Sequence, residues 1–181
     1  CMNQPAQTGK HPKGLYVLFF TEMWERFGYY LMVGILFLFM TNSSGKGLPK
    51  AMGADVVGTF IALVYLTPFI GGLLADRYLG YIKSIFIGGA LMAAGYLTIA
   101  LPGEYTAYIA MGLIIVGNGF FKPNISTLLG NMYNREDLRP LKDNAYNIFY
   151  MGINIGAFFC NFVAAILRNR IGWQAAFSAA G

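Results

Sequence analysis

The feature that most constrains this chain is a series of long apolar runs separated by short polar breaks. Leu15 to Met40, Val56 to Ala75, Ser84 to Leu101, Tyr105 to Met132 and Asn144 to Leu167 follow one another, and a sixth run starts at Ile171. An α-helix rises about 1.5 Å per residue, so about 20 residues cross the hydrocarbon of a bilayer. Inside lipid the backbone must satisfy its own hydrogen bonds, which helices do within one segment. The runs therefore predict an all-α, polytopic membrane protein: five complete transmembrane helices, then a truncated sixth spanning residues 171–181. Only 12% of the residues are charged, against about 25% in soluble domains. That argues against a soluble enzyme and against disorder. The 23 glycines, with 15 Phe and 12 Tyr, suit membrane helices packed closely together.

Residues 1–13 are polar and read as an N-terminal tail, with no small-residue cleavage site after a short apolar core. Residues 14–181 form a partial six-helix bundle. Cys1 and Cys160 are the only cysteines, both read as unpaired, so a disulfide scaffold is excluded. His11, the one histidine, reads as a solvated loop residue, and no metal site is expected. The polar breaks alternate between the two sides of the membrane. One side collects Lys10, Lys13, Arg77, Lys83, Arg135, Arg139 and Lys142; the other has Lys46, Lys50, Arg168 and Arg170. The first side, with the N-terminus, is expected to be cytoplasmic. The net charge of +5 is too thinly spread for nucleic acid. Asn42-Ser43-Ser44 fits a glycosylation sequon on the outer side. The Tyr133 to Asp143 stretch reads as a solvated connector.

Four charges lie inside the runs: Glu22, Glu25, Arg26 and Lys122. Each costs roughly 2.5–3.5 kcal/mol at mid-membrane, so they are expected to pair, and such residues are functional candidates. Glu22, Glu25 and Arg26 share one helix face, which leads on to Tyr29 and Tyr30. Lys122 comes from another helix, where Gly117, Gly119 and Pro123 allow a break or kink. Two readings stand: a fixed network that holds helices together, or a proton-responsive site. In the second, protonating one Glu leaves the cluster net positive and favours an anionic group beside it, linking proton uptake to substrate binding.

Glu22-Met23-Trp24-Glu25-Arg26-Phe27-Gly28-Tyr29-Tyr30 resembles the ExxERFxYY motif of the proton-dependent oligopeptide transporter family. Gly71 through Gly80 is similar to the major-facilitator loop between helices two and three. Phe121-Lys122-Pro123-Asn124-Ile125-Ser126 resembles the family's fourth-helix motif, and Phe149 through Gly156 its fifth-helix signature. The four motifs occur in order and cover nearly the whole chain from Lys13 on.

The resemblance implies a major facilitator fold, of which this chain is the N-terminal part. It implies a proton-coupled symporter importing di- and tripeptides by alternating access, with the proton gradient as driving force and no cofactor. Proton coupling and gating carry over to Glu22, Glu25, Arg26 and Lys122. Substrate contacts carry over to Tyr29, Tyr30, Tyr65, Lys122, Asn124 and Asn154. Taken alone, Tyr65 could equally be packing, and Asn124 and Asn154 interhelical hydrogen bonds. Gly72, Asp76, Arg77 and Gly80 carry over as a conformational switch loop, with a solvated helix-end pair as the plain alternative. The expected partners are a small peptide, protons, the lipid bilayer and the C-terminal half of the transporter; the expected location is a bacterial inner membrane. Val33 departs from the pattern, standing where many members of the family have an arginine. That leaves room for another solute, such as nitrate or an amino-acid derivative. A non-transporting scaffold or receptor on the same fold is the remaining alternative. The residues hold no Ser/His or metal constellation, so no enzyme is expected.

Overall fold

A computed structural model describes residues 10–181. Cys1 and residues 2–9 of the expected tail lie outside the described residues. Five long helices dominate: α1 (Lys13–Thr41), α2 (Lys50–Leu74), α3 (Tyr81–Ile99), α4 (Thr106–Met132) and α5 (Lys142–Arg170). A short α6 (Trp173–Ser178) follows. The helical stretches Lys13–Thr41, Lys50–Leu79, Tyr81–Ile99 and Arg139–Arg170 are long and apolar enough to cross a membrane. The 27 residues of α4 give it about 40 Å of length. Its Asn118, Lys122, Asn124 and Asn131 dilute its hydropathy.

Helix α2 begins at Lys50, six residues before the apolar run, directly after Pro49, whose ring fixes φ and which carries no N–H to satisfy at the helix entry. It ends in a π-helical turn, Ala75–Leu79. Gly80 stops that turn at φ +76°, a backbone shape that glycine adopts without steric cost. Gly72, which the resemblance assigns to the switch loop, lies within α2, facing Pro123 of α4.

Of the break or kink that the sequence allows at Pro123, the break is absent: α4 runs on through it to Met132. Helix α3 lies along α4, α1 along α5 and α2 along α4. The α3–α4 contact depends on bare backbone: a Cβ on Gly88 would lie 2.6 Å from the Gly117 carbonyl oxygen. Small residues let membrane helices approach this closely.

The helix ends segregate as an alternating topology requires. At one end the His11 ring bonds Tyr133, at the start of the α4–α5 connection. At the other, the Trp173 indole donates to Ser44 at 3.0 Å, and Lys46 donates to the Gly103 and Glu104 carbonyls. The Asn42 carboxamide is itself engaged, accepting from the Ser44 amide (2.9 Å) and hydroxyl (2.7 Å). Its sequon is a hydrogen-bonded turn.

His11 is not the solvated loop residue expected from the sequence. Its Nδ1 lies 2.7 Å from the Tyr133 hydroxyl, and its Nε2 lies 3.4 Å from the Asn144 side-chain nitrogen. The Tyr133 side chain is fully buried, so the ring ties the entry of α1 to the end of α4 and the start of α5. The Tyr133–Asp143 connector carries an exposed Arg135–Asp137 ion pair, but it also inserts Leu141 into the core.

Candidate functional site

Helix α1 turns a charged stripe inward. Glu22 and Arg26 are 3% and 4% exposed, one helical turn apart. The Arg26 guanidinium takes both oxygens of Glu25, donating from Nη2 to Oε1 at 2.7 Å and from Nε to Oε2. Its Nε also lies 3.5 Å from Glu22 Oε1. A planar, donor-only guanidinium suits such two-pronged recognition. The grip on Glu25 is full and the grip on Glu22 is loose: Glu22 Oε2 is buried with no hydrogen-bond partner among the described residues.

The stripe continues into two phenols. The Arg26 guanidinium carbon lies 5.0 Å from the centre of the Tyr29 ring and 5.9 Å from that of Tyr30. Both distances are within cation–π range. Tyr29 is buried and Tyr30 is partly open.

Lys122 corrects one expectation. It makes no ion pair among the described residues. Its ammonium stands 5.0 Å over the Tyr65 ring of α2, while Glu22, Glu25 and Arg26 act on it through space. Tyr65 is itself 68% exposed on α2.

The asparagines divide. Asn124 is buried, and its amide donates to the Phe120 carbonyl at 2.7 Å. That bond lies within α4, so it links no helices. Asn154 is exposed on α5 and makes no hydrogen bond among the described residues. Asp76 and Arg77 are exposed on the π-helical turn and make no ion pair among the described residues. Val33 packs against the apolar core. The structure thus brings Glu22, Glu25, Arg26, Tyr29 and Tyr30 together on α1. The Lys122–Tyr65 pair joins α4 to α2 within electrostatic reach of that cluster, while Asn154, Asp76 and Arg77 make no hydrogen bond or ion pair with it among the described residues.

Two buried polar side chains escaped the sequence reading. Tyr96 of α3 is 3% exposed, and its hydroxyl has no partner among the described residues; the same holds for both amide atoms of Asn118 on α4. A phenol and an amide inside apolar runs were the available signal, since each is costly in lipid unless partnered. Tyr96 lines, with Glu25, Trp24 and Thr21, a cavity of about 360 Å³. Among the described residues no cluster of His, Cys, Asp or Glu could hold a metal ion.

Residues 82–181 match the model of the POT family. The chain is 41% identical over 174 residues to the uncharacterized transporter YclF of Bacillus subtilis, a match covering 94% of this chain and 35% of that protein. It is 40% identical over 175 residues to the di-/tripeptide transporter of Lactococcus lactis subsp. lactis, covering 93% of this chain and 35% of that protein. A crystal structure of a mutant of the peptide transporter POT, in complex with alafosfalin, superposes with a TM-score of 0.90. It is 40% identical, over 96% of this chain and 37% of that one. The chain therefore spans about a third of the length of the curated relatives it matches. These relatives are transporters, not enzymes.

Proposed function

The chain belongs to the POT family, and on that premise we propose that it forms part of a proton-coupled symporter importing di- and tripeptides by alternating access. The observation that carries the reading is one guanidinium, Arg26, shared between two buried carboxyl groups. An arginine is donor-only and permanently charged, so it compensates one carboxylate fully and leaves the other poised to hold a proton. Once protonated, the α1 cluster and Lys122 together are net positive. That charge favours a peptide carboxylate beside it, with Tyr29, Tyr30, Tyr65, Asn124 and Asn154 as the residues that the resemblance offers for further substrate contacts. The names of two relatives, the di-/tripeptide transporter and the peptide transporter POT, support the substrate class.

Alternating access then needs a second bundle from the rest of the transporter, and a hinge at the end of α2, where Gly80 closes the π-helical turn and Asp76 and Arg77 latch one conformation. Seven of the eleven loop cations cluster at the end bearing Lys10 and Lys13. By the positive-inside rule that end is cytoplasmic, in a bacterial inner membrane. The partners are then peptide, protons and the surrounding lipid, with no cofactor.

Val33 favours a variation on this reading. With an apolar side chain there, Lys122, which makes no ion pair among the described residues, is the cation left to meet an anionic group beside the α1 stripe. Substrates smaller than a peptide, with one anionic group, then suit the site as well. Uptake of a labelled dipeptide by proteoliposomes of the full-length protein under an imposed inward pH gradient tests both. Accumulation that collapses with the gradient supports peptide symport. Accumulation of a smaller amino-acid derivative but no peptide supports the variation, and no uptake of either overturns the transport reading.

A further inference from the structure

Helix α5 carries a second exposed asparagine, Asn161, one heptad beyond Asn154. A heptad falls about 20° short of two full helical turns, so the two amides share one face of α5. That face lies outside the buried stripe of α5, whose Gly152 and Gly156 rest on Phe19, Met23 and Phe27 of α1. The Asn161 side chain nevertheless reaches α1. Its Oδ1 lies 3.0 Å from where a Cβ on Gly34 would stand, so the amide oxygen occupies room that only a glycine leaves. Gly34 is one turn beyond Tyr30, and both are open on α1. The Asn161 side chain makes no hydrogen bond among the described residues. An unpartnered amide is costly in hydrocarbon, so this face suits water and a polar ligand rather than lipid.

The distance from Lys122 gives the amide its use. Glu22, Glu25 and Arg26 act on Lys122 through space, which sets the level at which a peptide carboxylate is anchored. Gly34 stands two to three turns beyond those residues, about 12–18 Å further along α1 at 1.5 Å per residue. An extended chain spans at most about 3.6 Å per residue, so a dipeptide covers about 7 Å and a tripeptide about 11 Å. A hydrogen bond of about 3 Å at each end extends these reaches to about 13 Å and about 17 Å. A tripeptide therefore spans most of the interval, and a dipeptide only its near edge.

We propose that Asn161 is a specificity-determining residue for peptide length: its amide oxygen accepts an N–H from the amino end of a tripeptide whose carboxylate sits at Lys122, and a dipeptide anchored in the same way does not reach it. The chemistry matches, since a carboxamide oxygen accepts and an ammonium group only donates. Gly34 holds the subsite open from the α1 side, because a side chain there would push the amide away. This role deepens the peptide-symport reading and rests on it for the place of the carboxylate.

Calorimetric titration of the purified full-length protein in detergent with dialanine and with trialanine tests this without any transport step. Asn161→Ala is expected to weaken trialanine binding about five-fold, the equivalent of one hydrogen bond, and to leave dialanine binding in place. Unchanged trialanine binding in Asn161→Ala overturns the proposal. Equal weakening of both peptides also overturns it, and a lowered melting midpoint of the ligand-free variant would then assign Asn161 to a tie between helices. Absence of trialanine binding to wild type overturns both the length role and the peptide reading. Uptake measured on the same wild-type protein in proteoliposomes separates the two claims: binding without gradient-driven uptake counts against symport alone, while the ratio of the two affinities decides the role of Asn161.

Discussion

Arg26 holds Glu25 through both carboxylate oxygens and reaches Glu22 at 3.5 Å with the same nitrogen. Breaking this arrangement from the cationic side leaves two buried acids with no partner. Removing one member of a buried pair typically costs about 3–5 kcal/mol. Arg26→Ala is therefore expected to lower the thermal unfolding midpoint in detergent markedly. Arg26→Lys retains charge but not the two-pronged grip, and is expected to fall between Arg26→Ala and wild type in the same assay.

The Lys122–Tyr65 pair separates ring from hydroxyl. A cation over an aromatic face is worth about 0.5–2 kcal/mol. Tyr65→Ala removes the face and is expected to raise the KM for peptide uptake by a few-fold to about thirty-fold. Tyr65→Phe retains the face and is expected to stay near wild type. Equal damage from both variants would assign the role to the hydroxyl.

Gly88 and Gly117 hold α3 against α4 at backbone contact, with 2.6 Å left for a Cβ on Gly88. The obstacle is a main-chain carbonyl, which cannot rotate aside. Gly88→Ala is expected to cost about 1–3 kcal/mol, in the range of overpacked cores. A melting curve in detergent reads the loss directly. Gly58, with no atom within 4 Å of a Cβ, is the matched control, and Gly58→Ala is expected to leave the melting curve in place.

His11 ties three helix ends together through Tyr133 and Asn144. His11→Ala removes a hydrogen bond worth about 1 kcal/mol and exposes the buried Tyr133. Faster amide exchange at the start of α1 and at the α4–α5 connection is the expected result. An unchanged exchange pattern would mean that the contact adds no stability.

The long helices were legible because each is a run of apolar residues long enough to span a bilayer. The start of α2 at Lys50 was not, because its first six residues precede the apolar run and include the charged Lys50 and Asp55. The α1 stripe could be read from spacing alone: Glu22 and Arg26 at i and i+4 fall on one face. The fate of Lys122 could not. Spacing says which charges share a helix, but not which of two cations on different helices reaches the acids first. The clamp of His11 on Tyr133 joins positions 122 residues apart, a separation to which local pattern is blind. Asn124 shows the opposite failure. An amide in an apolar run reads as a tie to another helix, yet the carbonyl of Phe120, one turn back, lies closer.

Val33 tests how far the α1 face shapes the substrate site. It lies one turn beyond Tyr29 and packs on the core. Val33→Arg places a cation beside Tyr29 and is expected to shift preference towards substrates with a free carboxylate, measured by competition against a labelled dipeptide. An unchanged competition profile would place this position outside the substrate cavity.

The sharing of one arginine by two acids is tested most directly by proton-driven uptake in proteoliposomes carrying the full-length protein, compared between wild type, Glu22→Gln and Glu25→Gln. Either substitution removes one of the two stations that a proton can occupy beside Arg26. Loss of accumulation under an imposed pH gradient, with peptide exchange across the membrane preserved, is the predicted result. Normal gradient-driven accumulation in both variants would contradict it.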